Sequence, residues 1–293
     1  IFRGTGSVYV KNSYDIADGG VQAYINWGRH NVDDGNTPGQ PPRDYIFHSP
    51  DYNMGVTLYE NLYLWKANTL SDGVDFQHWG GEVWNTAKAD ESVRSSESRH
   101  HVNEIAGYVM MQQGFFSHVL DLNAGVRLQH GSTYGNIWVP QAGFIVRPSG
   151  TSQIKASFGK GFRAPTIREL YLYPPANPDL SPERMYNYEV SYTQLFLDGN
   201  LNVGAAVFFG DNMIQTTTVD GRPRNLNTGR FINKGFELEG ACRIHPRLTV
   251  SANYSYLHTD TRIQFAPKNK LNAEVTWTPG DFSLTLDETS IWS

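Results

Sequence analysis

The 293-residue sequence contains one cysteine, Cys242, which rules out an intramolecular disulfide and any cysteine-based metal cluster. No apolar run approaches the roughly 18 residues that a membrane helix needs. That absence excludes helical spans. It does not exclude a membrane β-barrel, whose strands alternate apolar and polar residues and average out as hydrophilic. The 24 lysines and arginines are scattered, with no basic stripe, and the net charge is −5. No nucleic acid is therefore expected as a partner. Catalytic signatures are missing too: G-x-S-x-G, H-E-x-x-H and Walker sequences are absent, and Gly159-Lys160-Gly161 is not a phosphate cradle. Asp211, His118, His130 and Ser132 cannot be assembled from sequence into a rim protease or lipase site. The chain is not expected to be an enzyme. It opens at Ile1 with neither a methionine nor a signal sequence, as a processed chain or a fragment does.

What the sequence does have is period-two patterning. Leu120, Leu122, Ala124, Val126 and Leu128 oppose Asp121, Asn123, Gly125, Arg127 and Gln129. Residues 248–256 and 271–278 repeat the pattern, and in all about fourteen strand candidates can be marked, with no persuasive helix. Aromatics make up 13% of residues, including 16 Tyr and 7 Trp. These types suit both membrane–water interfaces and ordinary strands. The connections separate the alternatives. Short turns near 15–20, 67–73, 115–118, 148–151, 198–200, 245–247 and 279–281 alternate with long loops expected at 28–53, 85–101, 159–184, 210–229 and 257–268. Short turns on one rim and long loops on the other are what an up-and-down membrane barrel requires. The polar faces carry Asp121, Arg127, Lys155, Glu189, Glu237, Glu239, Arg243 and Glu274, which suits a wet or plugged lumen.

The segment from Ser157 to Val190 carries a more specific signal. Gly161, Phe162, Arg163, Ala164 and Pro165 are followed by Asn177, Pro178, Leu180, Pro182 and Glu183. This GFRAP…NPDLSPE block resembles the matching block of TonB-dependent outer-membrane receptors, and the resemblance extends over the chain. It implies an all-β fold, an antiparallel up-and-down transmembrane β-barrel, of which this chain supplies about 14 of an expected 22 strands. Residues 1–293 then form a partial barrel domain with no plug. A complete fourteen-strand transporter is the competing view.

The implied function is TonB-dependent, energy-coupled uptake of a scarce nutrient across the bacterial outer membrane. Siderophore-iron, cobalamin, haem, copper and glycan all stay open as cargo. The implied partners are the TonB complex, through a plug segment not seen in this sequence, outer-membrane lipid, and a small-molecule or metal-chelate ligand. No cofactor is expected. The alternatives are a plugless, porin-like outer-membrane channel and a soluble β-rich binding module.

Candidate ligand-binding residues lie in the expected extracellular loops. On the resemblance, Arg163 faces the lumen and pairs with plug carboxylates. From the residues alone it is a rim arginine in an ion pair worth under about 1 kcal/mol. Tyr171 and Tyr173, stiffened by nearby prolines, either grip a planar ligand or pin the loop. Asn177 and Asp179 belong to the same loop. His100 and His101, placed in the loop expected at 85–101, are metal or haem ligands, or merely solvated. Haem importers of the family carry a histidine between the two boxes, and residues 166–176 have none. Asp33 and Asp34 open a turn with the composition of a calcium site but too few ligands for one, and Asp-Gly is ordinary turn chemistry.

Overall fold

The computed structural model describes residues 1–33, 39, 41, 43–90, 92–172, 175–211, 214–219, 222–227, 232–260 and 266–292. Five long strands come first: β1 (Phe2–Tyr14), β2 (Ala17–Val32), β3 (Tyr45–Leu62), β4 (Asn68–Ala87) and β5 (Arg94–Phe115). Next are β6 (Leu120–Gly131), β7 (Gly135–Ser149), β8 (Ser152–Arg163), β9 (Glu183–Phe196) and β10 (Leu201–Asp211). A separate hairpin of β11 (Ile214–Val219) and β12 (Arg222–Asn227) precedes β13 (Ile232–His245). The wall ends with β14 (Leu248–Thr259), β15 (Asn269–Trp277) and β16 (Leu284–Trp292). All but the hairpin form one 14-stranded antiparallel sheet in sequence order, with β10 pairing directly to β13. This is the up-and-down meander expected. No helix among the described residues is long and apolar enough to cross a membrane.

Alternation sorts the side chains. Tyr108 lies opposite Arg127 and Ala106 opposite Gln129, while the intervening Val109–Val126 and Gly107–Leu128 pairs point the other way. The register places every polar-face residue predicted above on the first of these faces. On the second face Val8, Val190 and Val207 are 69, 50 and 54% exposed. A continuous apolar belt of that kind would aggregate in water and is solvated in a bilayer.

The fold corrects the loop expectations in five places, the first at 28–53, where β2 runs on to Val32 and β3 already starts at Tyr45. Residues 85–101 are not a loop, because β4 runs to Ala87 and β5 starts at Arg94. This extension stands above the apolar belt, where Val83 and Trp84 are set among polar residues on both faces, so it shows no hydrophobic period. It is held by Arg99–Glu82 at 3.2 Å, by His48 stacked on Trp84 at 5.1 Å, and by Arg94 over the same Trp84 ring. The ladder also does not break at Gly159-Lys160-Gly161, since Gly159 pairs with Asn187 and Gly161 with Met185. A short helix, α1 (Ile167–Tyr171), forms where none was expected. The hairpin β11–β12 occupies a stretch read as loop.

Among the described residues the buried hydrophobic ones are Val83, Val102, Ala106, Ile137, Leu170 and Leu180. By register Val83, Val102 and Ile137 face the lumen, and Leu170 and Leu180 belong to the 164–182 loop. The small core therefore sits where the loop between β8 and β9 folds inward over the wall.

Candidate functional site

Pro165, almost fully buried, cannot donate to a ladder and ends β8. Thr166 then caps α1. Its hydroxyl accepts from the Glu169 N–H at 3.2 Å, and the Glu169 carboxylate accepts from the Thr166 N–H at 2.8 Å. This is a capping box, legible as T-x-x-E. Arg163 lies beside it and donates both terminal nitrogens to Glu169, at 2.9 and 3.0 Å, and its Nε to Glu183. Arg163 thus joins the end of β8, the first turn of α1 and the start of β9, using carboxylates of its own chain. Burial works to raise the Glu169 carboxyl, but hydrogen bonds from Arg163 and Thr166 outweigh it and hold the group below the usual carboxylate range.

The hairpin β11–β12 fastens the rest of the loop. Asn177, 4% exposed, donates to the Asn225 carbonyl at 2.8 Å. Its Oδ1 accepts from the Asp179 N–H and from Arg224, both at 3.1 Å. Asn225 N–H in turn donates to the Pro175 carbonyl, and Asn227 and Ser181 exchange two further bonds. Asn177 therefore acts as a buried staple. Asp179 is largely exposed and reaches Arg224 only at 3.6 Å. In the sequence, Asp220-Gly221 is a turn signature, but the run after it, Arg-Pro-Arg-Asn-Leu-Asn, has little strand preference, which hides the hairpin inside an expected loop.

With the loop fixed, Tyr171 stacks on His100, ring centroids 4.1 Å apart and nearly parallel. Two candidates distant in sequence thus come together. His101 does not join them, because neighbours on a strand point to opposite faces. It lies on the outward side, 5.6 Å from the ring of His78. Asp33 is paired with Lys88 at 2.6 Å. Tyr173 and Asp34 lie outside the described residues.

Beside the stacked pair is a cavity of about 530 Å³. The wall contributes Asp51, Asn53, Gln77, Trp79, Ser98 and His100, and the loop contributes Ile167 and Leu172. None of Trp79, Asn53 or Gln77 stood out in the sequence, because a lumen-facing aromatic on a strand looks like any other. Hydrogen bonds fix the lining. Trp79 Nε1 donates to Glu104 at 3.4 Å, and Tyr134 Oη donates to the same carboxylate at 2.7 Å. Tyr134 reaches it because its ring lies directly over Gly131, where any Cβ would collide with it. Arg3 donates to Asp51 at 3.2 Å and lies 3.0 Å from His30. Charges at the cavity are thus matched internally. The open surface is the Trp79 indole, the His100 imidazole, amides and aliphatic groups, which suits a planar or weakly charged ligand with several polar edges. Among the described residues no group of three metal-ligating side chains occurs.

A family model described as "TonB dependent receptor-like, beta-barrel" matches residues 3–292. The chain is 28% identical over 159 residues to a vitamin B12 transporter of Vibrio vulnificus, covering 54% of this chain and 24% of that protein. It is 24% identical over 249 residues to an iron-regulated outer membrane virulence protein of Vibrio cholerae, covering 72% of this chain and 36% of that one. In fold it is similar to a ferric enterobactin receptor mutant from Pseudomonas aeruginosa, with a TM-score of 0.79 at 16% identity. That match covers 98% of this chain and 48% of the receptor. The chain therefore spans well under half the length of these curated relatives and about half of the solved receptor.

Proposed function

We propose that this chain, which belongs to the TonB-dependent receptor family, supplies the barrel wall and capture loops of an energy-coupled importer in the bacterial outer membrane. The cargo is a scarce small molecule, a metal chelate or a cobalamin. The observation that carries this reading is the cavity under the 164–182 loop, walled by Trp79 and His100 and roofed by Ile167 and Leu172. Its volume of about 530 Å³ falls in the range of small-molecule sites. It can take one arm or face of a larger ligand while the remainder extends toward the mouth. Names of relatives support the cargo class, since one is a vitamin B12 transporter and another is iron-regulated.

On this reading residues 1–293 are barrel domain throughout, and the TonB complex acts through a plug segment of the natural protein. The wall residues hold the cargo, and the work of release is done elsewhere. The test is accumulation of radiolabelled vitamin B12 and of radiolabelled ferric enterobactin by cells expressing the full natural protein, with and without TonB. TonB-dependent accumulation of either cargo supports the reading. Accumulation that persists without TonB would make the protein a passive channel.

A further inference from the structure

The lipid-facing side of β7–β10 carries a second cavity, a groove of about 540 Å³. Its floor is made by a diagonal exchange of sizes, in which Ala142 pairs with Phe158 and Phe144 with Ala156. The two alanines leave a trough, and Phe144, Phe158, Tyr188 and Phe209 form its sides. The rings are braced against one another, Phe158 to Tyr188 at 5.0 Å and Tyr188 to Phe209 at 6.1 Å. A braced trough on a face that meets acyl chains has the width and chemistry of a hydrocarbon tail.

Two cations stand immediately above it. Lys160 is two residues beyond Phe158 on β8, about 7 Å along the strand, on the same face and toward the long-loop end. It pairs with Tyr186, and its Nζ lies 5.7 Å from that ring's centroid. Arg184, one step further, pairs with Phe162. Among the described residues neither cation has a carboxylate partner. The two carboxylates of β9, Glu183 and Glu189, alternate onto the lumen face, and Glu183 is engaged by Arg163. Two unneutralised cations flanked by aromatic rings, one pleat repeat above an apolar trough, reproduce the profile of an anionic lipid.

We propose that this face is a binding site for an anionic, phosphate-bearing lipid of the outer leaflet. Its headgroup lies on Lys160 and Arg184 and one acyl chain lies in the Ala142–Ala156 trough. Cation–aromatic pairing holds Lys160 toward the headgroup level, and the missing side-chain volume at the alanines sets where the chain descends. The site is separate from the lumen cavity and needs no bound cargo.

The test is native mass spectrometry of the full natural protein released from micelles containing phosphatidylglycerol or phosphatidylcholine. The wild type is expected to keep a phosphatidylglycerol adduct at least tenfold more than a phosphatidylcholine adduct. The double substitution Lys160→Gln with Arg184→Gln is expected to abolish that preference. Ala156→Phe fills the trough on an outward surface and should remove the adduct while the cations remain. Lys234→Gln, which removes a cation of the same face on β13, should change nothing. Equal retention of both lipids by the wild type would overturn the proposal, as would loss of preference with Lys234→Gln alone. Dimers abolished by Ala156→Phe without any lipid adduct would assign the groove to a second copy of the chain instead.

Discussion

Across β1–β8 the lumen-facing arginines find partners inside the wall: Arg3 with Asp51, Arg127 with Asp75, Arg147 with Asp121, and Arg163 with Glu169 and Glu183. Across β9–β16 the same face presents Glu189, Glu237 and Glu239 with no cationic partner among the described residues. What links strands there is a neutral ladder, Asn253 to Asn272 at 2.6 Å and Asn272 to Thr289 at 2.9 Å. Both halves alternate equally well, so the difference is not in the fold. The first half pairs its lumen-facing arginines internally, and one of those pairs, Arg3 with Asp51, lines the cavity at Trp79 and His100. The second leaves Glu189, Glu237 and Glu239 open to the lumen, with Lys270 lining the same cavity as Glu237 and Glu239 but in no ion pair among the described residues. A preorganised pocket needs the first arrangement, because a ligand gains most when the groups it meets are already held.

The largest expected effect is at the loop core. Leu170→Ala, at a site 2% exposed, removes a side chain that has no room to be replaced, and should weaken docking of the 164–182 loop by about 2–4 kcal/mol. Limited proteolysis of that loop should accelerate accordingly, while the melting of the wall stays unchanged. Arg163→Ala comes next. It takes the cation away from two carboxylates, and with the arginine itself partly exposed the cost should be about 1–2 kcal/mol, read by hydrogen exchange across 164–182. Arg163→Lys should not restore it, since a point ammonium cannot replace the two-pronged contact.

Acid should act on the same contact from the other side. The Glu169 carboxyl is depressed in the folded state, so its stabilisation is fully present above the ordinary carboxylate pKa and is lost as pH falls through the lower folded value. The loop's protection factors, taken relative to the intrinsic pH-dependent rate of amide exchange, should therefore be flat from neutral pH to about 5 and fall only below about 4. The smallest effect is expected in the second half. Glu239→Gln should change stability by under about 0.5 kcal/mol in a thermal melt, because no partner is lost. A larger change there would remove the contrast between the two halves.

Much of this was legible in advance, and the residues show why the rest was not. The wall strands were found because Leu120–Leu128 and their like alternate across a lipid boundary, which imposes period two. The β4–β5 extension carries no apolar period because Glu82, Ser95 and Arg99 stand above that boundary, where only isolated residues such as Val83 and Thr86 are buried. That absence placed His100 and His101 in an expected loop. Once they are on a strand, adjacency alone sends one to the lumen and the other outward. The five residues of α1 are too few for a helical period, and only the capping pair Thr166 and Glu169 announced it. Asn177 was singled out for its motif, but whether it met a ligand or a hairpin depended on Asn225, which lies 48 positions away.

The matched half of the lumen wall is the proposed capture surface. The direct measurement is the concentration of accumulated cargo giving half-maximal binding to cells that carry the full natural protein. Trp79→Ala and His100→Ala should each raise it at least tenfold, and Glu239→Gln should leave it unchanged. If Glu239→Gln raises it while the other two do not, capture belongs to the acidic half and the account is wrong.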